Sequence, residues 1–328
     1  MRRSPRRARV VTRDNGKKLK LKFILFFAVL LGGLGLCELA LRIFWPSSFA
    51  GVEDEKSLTY RYDPELGWFP IPGTKKLFTA SRTIIAAHNS RGFRGPEPIP
   101  SNKPAMIFLG DSLVWGFDVE ASERFTEALQ ARHPEWVIHN FGVSGYGNDQ
   151  EYLLLQRHFN EYAPRLVFLM ICGDNDNDDN ASNYRGGYYK PYYVIEGGGL
   201  RVQGVPVPRS ERVFFAEHKI LAAPYVVRLL VRVYCQFTLP VPNKRDNPPT
   251  GAIFLDMRRY VTERGAIFAV GLQHSNADLR EFLEQHKIPY VDLETTNSAH
   301  TYPTFSHHWT PAGHAFVAEK IDEFLKTL

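Results

Sequence analysis

The sequence predicts an α/β domain with a mostly parallel sheet, preceded by one transmembrane helix. Two observations predict it. From residue 104 onward, apolar runs of five to eight residues alternate with helical stretches, and repeated strand–helix–strand units imply parallel strands with helices on both faces. Ahead of them, a 19-residue apolar segment follows a dense basic tail.

The tail comes first. Residues 1–22 hold ten Lys and Arg and one acid, Asp14, a net of +9. The other 306 residues net −4, so the overall +5 belongs to one end. A basic nucleic-acid-binding fold is excluded, because its positive face would lie in the folded part. From Phe23 to Leu41 the chain runs FILFFAVLLGGLGLCELAL, with Glu38 as its one charge. As a helix this spans about 28 Å, one hydrocarbon core. Trp45 then suits an interfacial anchor and Pro46 a helix stop, which sets the anchor at 23–45. The positive-inside rule keeps residues 1–22 in the cytoplasm and places the remainder on the far side. A cleaved signal peptide has a shorter apolar stretch and a small-x-small site, whereas Arg-Ile-Phe-Trp follows here. Cys37 is preceded by Leu36, not by a small residue as at a lipid-attachment site, and reads as membrane filling. Three cysteines make no disulfide framework, and 44% apolar residues allow a large core.

Residues 46–103 are rich in Pro and Gly and predict a linker and a small β-rich lead-in. The domain proper is 104–328. AMIFLG (105–110), WVIHNFG (136–142), RLVFLMIC (165–172), AIFAVGL (266–272) and IPYVDLE (288–294) predict its strands. Between them lie helical patterns at 122–133, with Ser122 as N-cap, and at 148–162, 251–265 and 277–287. The last helix, 310–328, has Thr310 as N-cap and Pro311 at the favoured first position. Residues 181–249 break the alternation. They predict an insertion containing a β-hairpin and a helical piece around 215–237. Insertions after the carboxyl ends of parallel strands flank the binding crevice.

The chemistry collects at those strand ends. The first strand runs into Asp111-Ser112, which holds a serine hydroxyl at the mouth of the crevice. The second ends in Asn140-Phe-Gly-Val-Ser-Gly145 and the third in Cys172-Gly-Asp-Asn175-Asp176. Near the C-terminus stands His307-His308-Trp309. A serine nucleophile needs a base, usually His, and donors aimed at the oxyanion. The backbone N–H groups of Ser112 and Gly145 and the amide of Asn175 are candidates. The acidic run from Asp174 to Asp179 resembles the start of a calcium loop. It lacks Gly at the sixth position and Glu at the twelfth, so a polar loop is the expectation. The tyrosines from Tyr184 to Tyr193, with Trp115, are stacking candidates for a sugar, against the plainer expectation of packing on their own sheet.

These four blocks, in this order and spacing, resemble those of the GDSL/SGNH hydrolases. Gly110-Asp111-Ser112 matches the first block, Gly145 the glycine block, Asn175-Asp176 the asparagine block and His308 the histidine block. The resemblance covers about 104–328. Leu66-Gly67-Trp68 and the run from Asn89 to Arg94 also fit a bacterial, N-terminally membrane-anchored branch. It implies a three-layer α/β/α flavodoxin-like domain that cleaves or transfers ester-linked acyl groups. Ser112 would be the nucleophile and His308 the base, with Ser112, Gly145 and Asn175 as oxyanion hole and Asp111 in support. No metal and no organic cofactor is implied.

One departure stands out. The family usually has an Asp two or three residues before the catalytic His, where this chain has Ser306 and Phe305. A Ser–His dyad held by Ser306, an acid reaching in from Asp292 or Glu294, and an impaired site all remain open, and His307 competes with His308 as the base. The expected partners are an acylated carbohydrate or small ester and a lipid bilayer, with no nucleic acid. The expected place is the bacterial inner membrane, N-terminus cytoplasmic and domain periplasmic. An O-acetyltransferase of an exopolysaccharide and a glycan-binding scaffold on a retired hydrolase fold are the alternatives.

Overall fold

In a computed structural model, the five apolar runs pair into one all-parallel sheet. The structure describes residues 12–49, 55–173, 175–274, 277–303 and 308–328. The sheet strands are β1 (Ala105–Gly110), β2 (Val137–Gly142), β3 (Pro164–Cys172), β4 (Ile267–Gln273) and β5 (Tyr290–Asp292), in the spatial order β5-β4-β3-β1-β2. The helices that matter below are α1 (Thr12–Phe44), α2 (Phe125–Arg132), α3 (Asn148–Tyr162), α4 (Tyr225–Thr238), α5 (Thr250–Thr262), α6 (Ala277–Gln285) and α7 (Pro311–Leu325).

The period of two along each strand splits the core into layers. Ile107, Leu109, Val167, Leu169, Phe268 and Val270 face Leu155, Phe159, Phe254, Met257 and Leu283 of α3, α5 and α6. Met106, Phe108, Phe168 and Ala269 face Phe125, Leu129, Val317 and Ile321 of α2 and α7. Both sheet faces are covered, which is why these strands are apolar throughout rather than alternating.

The chain divides into two units. One holds α1 and residues 217–238, and the other holds the sheet together with residues 52–216 and 239–328. In the first, α1 carries the apolar stretch, and the span from Gly16 to Phe44 is long and apolar enough to cross a membrane. The helix begins at Thr12, so part of the basic tail is helical. In the second, the lead-in is more than a linker. Two short hairpins, Tyr60–Asp63 with Gly67–Pro70 and Lys75–Thr79 with Thr83–Ala87, are built into the sheet-bearing unit. Trp68 is buried and donates its indole N–H to Ser144 O at 3.2 Å. The 181–249 stretch is shared between the units. Its hairpin, Tyr192–Glu196 with Gly199–Gln203, stays with the sheet, and α4 goes with α1. Ser122 caps no long helix. It lies in a single 3-10 turn (Ala121–Glu123), and α2 starts later because Arg124 is drawn inward to Arg94 O (2.5 Å) and to an ion pair with Glu127.

Gly142 ends β2 where a Cβ would overlap the backbone of Val114 and Trp115. Gly142→Ala is expected to cost about 1–3 kcal/mol or more in urea unfolding. Gly199→Ala, in open space, should shift it by less than about 0.5 kcal/mol.

His139 on β2 lies edge-on to Tyr162 at 4.6 Å, and burial alone depresses its pKa to about 4. A depressed histidine pKa means that the unfolded chain takes up the proton first. Its contribution to stability is therefore full above about pH 6.5 and is lost as pH falls toward 4. Relative to His139→Phe, the wild type should lose stability across that window. Parallel unfolding curves from pH 7 to 4.5 would contradict this.

Candidate active site

The strand order reverses between β1 and β3, and a crevice opens there at the carboxyl ends of the strands. β1 ends at Gly110, where a Cβ would overlap Val114. Asp111 then caps a four-residue helix, Ser112–Trp115, by accepting the Leu113 N–H at 3.0 Å. A helix this short does not persist by itself. Its carbonyls are held from outside: Asn140 Nδ2 donates to Val114 O at 2.6 Å, and the buried Arg94 donates to Trp115 O (3.1 Å) and to Gly116 O. Ser112 is thereby fixed at the head of the turn, facing the crevice.

His308 arrives from the segment before α7. Tyr302 N–H donates to His308 O at 2.8 Å and Thr310 N–H to His300 O at 2.9 Å. Trp309 is buried in the core under α7, and Thr310 caps that helix through Gly313 N–H at 3.1 Å. Between these two anchors the His308 ring stacks on Phe117, with centroids 4.3 Å apart. His308 Nε2 lies 2.8 Å from Ser112 Oγ. With the imidazole proton on Nδ1, the serine hydroxyl is the donor in this pair.

Gly145 and Asn175 border the same cavity, about 550 Å³, as Ser112 and His308. Gly145 has φ +75, a left-handed conformation that glycine adopts freely, and a Cβ there would sit 2.8 Å from Lys56 Nζ. Asn175 Nδ2 donates to Asp111 Oδ2 (3.2 Å) and Asp179 Oδ2 (3.1 Å), so Asp111 links the Ser112 turn to Asn175. Behind Asn175 lies a buried charged network. Lys190 pairs with Asp149 and donates to Asp179 O at 3.0 Å. Asn148 Nδ2 donates to both Glu151 (3.0 Å) and Asp176 (3.2 Å). Burial raises Glu151 well above the usual carboxylate range, with the charge of Asp176 adding to it. Burial also raises Asp176, with Asp111 and Asp179 adding. Both carboxyls are thus disfavoured as anions. Asp179 is pushed up to about 7 by burial, against the pull of Arg185 and Lys190.

The structure thus brings Ser112, His308, Gly145, Asn175 and Asp111 to one crevice. It does not bring Asp292 there. That carboxylate ends β5, three strands from β1, and faces Arg280 (3.4 Å) and the Glu294 N–H (3.0 Å), while Glu294 also faces Arg280. Ser306 and His307, with Phe305, lie outside the described residues, as does Asp174. His314 is buried, accepts the Phe125 N–H at 3.3 Å and has its pKa pushed down to about 3 by burial, so it serves packing. Trp115 is fully buried, and Tyr188 and Tyr193 pack on Trp68 and Tyr152, so none of the three is a stacking platform in the cavity. None of the three cysteines is in a disulfide, and Cys172 lies on the cavity wall.

Glu55, Lys56, Phe117, Ser144 and Arg185 also line the cavity, and no motif pointed to them. Glu55 accepts the Ser144 hydroxyl at 2.8 Å and lies 3.4 Å from Lys56. Burial opposes its ionisation, but Lys56 and Ser144 together hold its carboxyl below the usual range. Glu55 and Lys56 are nearly ninety residues from Ser144 in sequence, so only folding joins them.

No protein-family model matches the sequence, and no curated protein matches it. Among solved structures, the chain is similar to a lipolytic protein of the G-D-S-L family from Veillonella parvula, at 16% identity, with 68% of this chain and 99% of that one covered and a TM-score of 0.41. It is similar also to a psychrotrophic esterase from Pseudoalteromonas (11% identity, 69% and 98% covered, TM-score 0.41). A third is an acetyl xylan esterase (11% identity, 67% and 98% covered, TM-score 0.38).

Lys190→Met would leave the fully buried Asp149 carboxyl without its cation. The expected cost is about 3–5 kcal/mol of stability, and Asp149→Leu in the same chain should restore much of it. Equal melting of the wild type and the single variant would show that the pair does not hold the insertion.

Proposed function

We propose that this chain is a serine esterase anchored in a bacterial inner membrane by residues 23–45, with the sheet-bearing unit on the extracytoplasmic side. It removes an ester-linked acyl group, acetyl above all, from a cell-envelope glycan or a small ester. The observation that carries this reading is the 2.8 Å contact between Ser112 Oγ and His308 Nε2, at the switch point of a parallel sheet. That contact speaks against a retired site.

Ser112 attacks the ester carbonyl as His308 takes its proton. The oxyanion forms against the backbone N–H groups of Ser112 and Gly145. Asn175 adds its amide by giving up one of the two carboxylates it now serves, Asp111 or Asp179. His308 then returns the proton to the leaving alcohol, the acyl-serine remains, and water activated by the same imidazole releases the acid. Phe117 stacks on the imidazole and limits its rotation. The polar wall of Glu55, Lys56, Ser144 and Arg185 suits a hydroxyl-rich alcohol portion. The +9 tail ahead of an apolar span supports the stated orientation.

Purified full-length protein should hydrolyse p-nitrophenyl acetate and label at Ser112 with a fluorophosphonate. Ser112→Ala and His308→Ala should each lower turnover at least about 10³-fold. Equal rates in all three proteins, with Ser112 unlabelled, exclude this chemistry. Adding an oligosaccharide acceptor and comparing free acetate with acetylated sugar separates hydrolysis from transfer.

A further inference from the structure

Helix α4 belongs to the membrane-helix unit, although its sequence lies inside the insertion. Pro224 precedes it, and the Val226 N–H donates to the Glu38 carboxylate at 2.9 Å. Glu38 is the one charge between Phe23 and Leu41. Arg42 Nε donates to the same carboxylate at 2.6 Å, reaches Ala223 O at 3.4 Å, and lies over the Tyr225 ring at 4.7 Å. Tyr225 Oη donates to Pro46 O (3.2 Å), Arg232 to Ser48 O (3.0 Å), and Arg228 to Phe49 O. A charge in a bilayer costs about 2.5–3.5 kcal/mol on insertion scales unless it finds partners. Here Arg42 of α1 and the Val226 N–H of α4 supply them. Helix α4 is fastened to the end of α1 where the apolar stretch stops.

The outward side of α4 has a pattern of its own. Leu230, Val233, Tyr234 and Phe237 fall at i, i+3, i+4 and i+7, so they form one stripe, and they are 62%, 40%, 66% and 86% exposed. Phe44 and Trp45, at the same end of α1, are exposed as well. At about 21 Å, α4 is too short to cross a bilayer. An amphipathic helix tied to the exit of a membrane span, with an apolar stripe and arginines beside it, fits the headgroup region of a phospholipid surface.

We infer that α4 is an interfacial helix that lies in the outer lipid surface and gives the insertion its own hold on the membrane. This rests on the anchored reading above. Leu230, Val233, Tyr234 and Phe237 enter the acyl boundary, and Arg228 and Arg232 stay with the headgroups.

The full chain carrying Cys37→Ala, Cys172→Ala and Cys235→Ala is labelled with a nitrobenzoxadiazole dye at Phe237→Cys, or at Gln236→Cys on the flank of the stripe. Each is reconstituted into vesicles of phosphatidylcholine and phosphatidylglycerol. At position 237 the emission should move to the blue, iodide quenching should be lost relative to 236, and doxyl-labelled lipid should quench. Iodide quenching equal at the two positions overturns the inference. So does protection from iodide without quenching by doxyl lipid, which identifies a protein neighbour such as a second copy. Alkaline carbonate extraction of the same vesicles distinguishes the two levels. Release of the whole chain removes the anchored reading and this inference with it, whereas retention with position 237 open to iodide removes only the inference.

Discussion

The site depends on how closely the Ser112–Trp115 turn approaches the end of β2. A four-residue helix forms too few internal hydrogen bonds to hold its own shape. It is held here because Gly110 and Gly142 remove the side chains that would keep it away, and because Asn140 and Arg94 satisfy the carbonyls it leaves over. Arg124 locks Arg94 from behind through the Arg94 carbonyl. The position of one hydroxyl is therefore set by residues from the lead-in, two strands and the start of α2. The lead-in motif from Asn89 to Arg94 has a structural purpose that its sequence does not announce.

Charge is managed in layers around that point. Next to Ser112, Asp111 caps the turn and ties it to Asn175. Further in, five carboxylates crowd together: Asp111, Asp149, Glu151, Asp176 and Asp179. Such a cluster is tolerable only if some are neutral or paired. Lys190 and Arg185, both from the insertion, supply the cations. Burial and mutual repulsion push Glu151 and Asp176 towards the neutral form, which relieves the rest. The insertion is thus part of the foundation of the Asn175 side of the crevice, while its later helix belongs with α1.

Much of the fold was legible because buried parallel strands write themselves as uninterrupted apolar runs. AMIFLG and RLVFLMIC became β1 and β3 for that reason, and Thr310-Pro311 marked the start of α7. The crevice residues Ser112, Gly145, Asn175 and His308 were legible because each stands at a strand end or helix start. Ser122 misled because a cap is chosen by competition. The burial of Arg124 outweighed a good local capping residue, and α2 began later. Asp292 was drawn into consideration by its place at a strand end, but β5 is the edge strand and its carboxylate meets Arg280.

The sequence by itself determined the class of fold, the apolar span behind its basic tail, and the set of groups available for chemistry. Each of these is a local property: periodicity, hydropathy, or a residue at the end of an element. Tertiary structure decided which of those groups meet. It set 2.8 Å between Ser112 and His308 across 196 residues, placed Glu55 and Lys56 beside Gly145, and paired α4 with Glu38 of α1. Such contacts are fixed by packing and by the need to satisfy every buried polar group, and neither requirement is visible until the whole chain is folded.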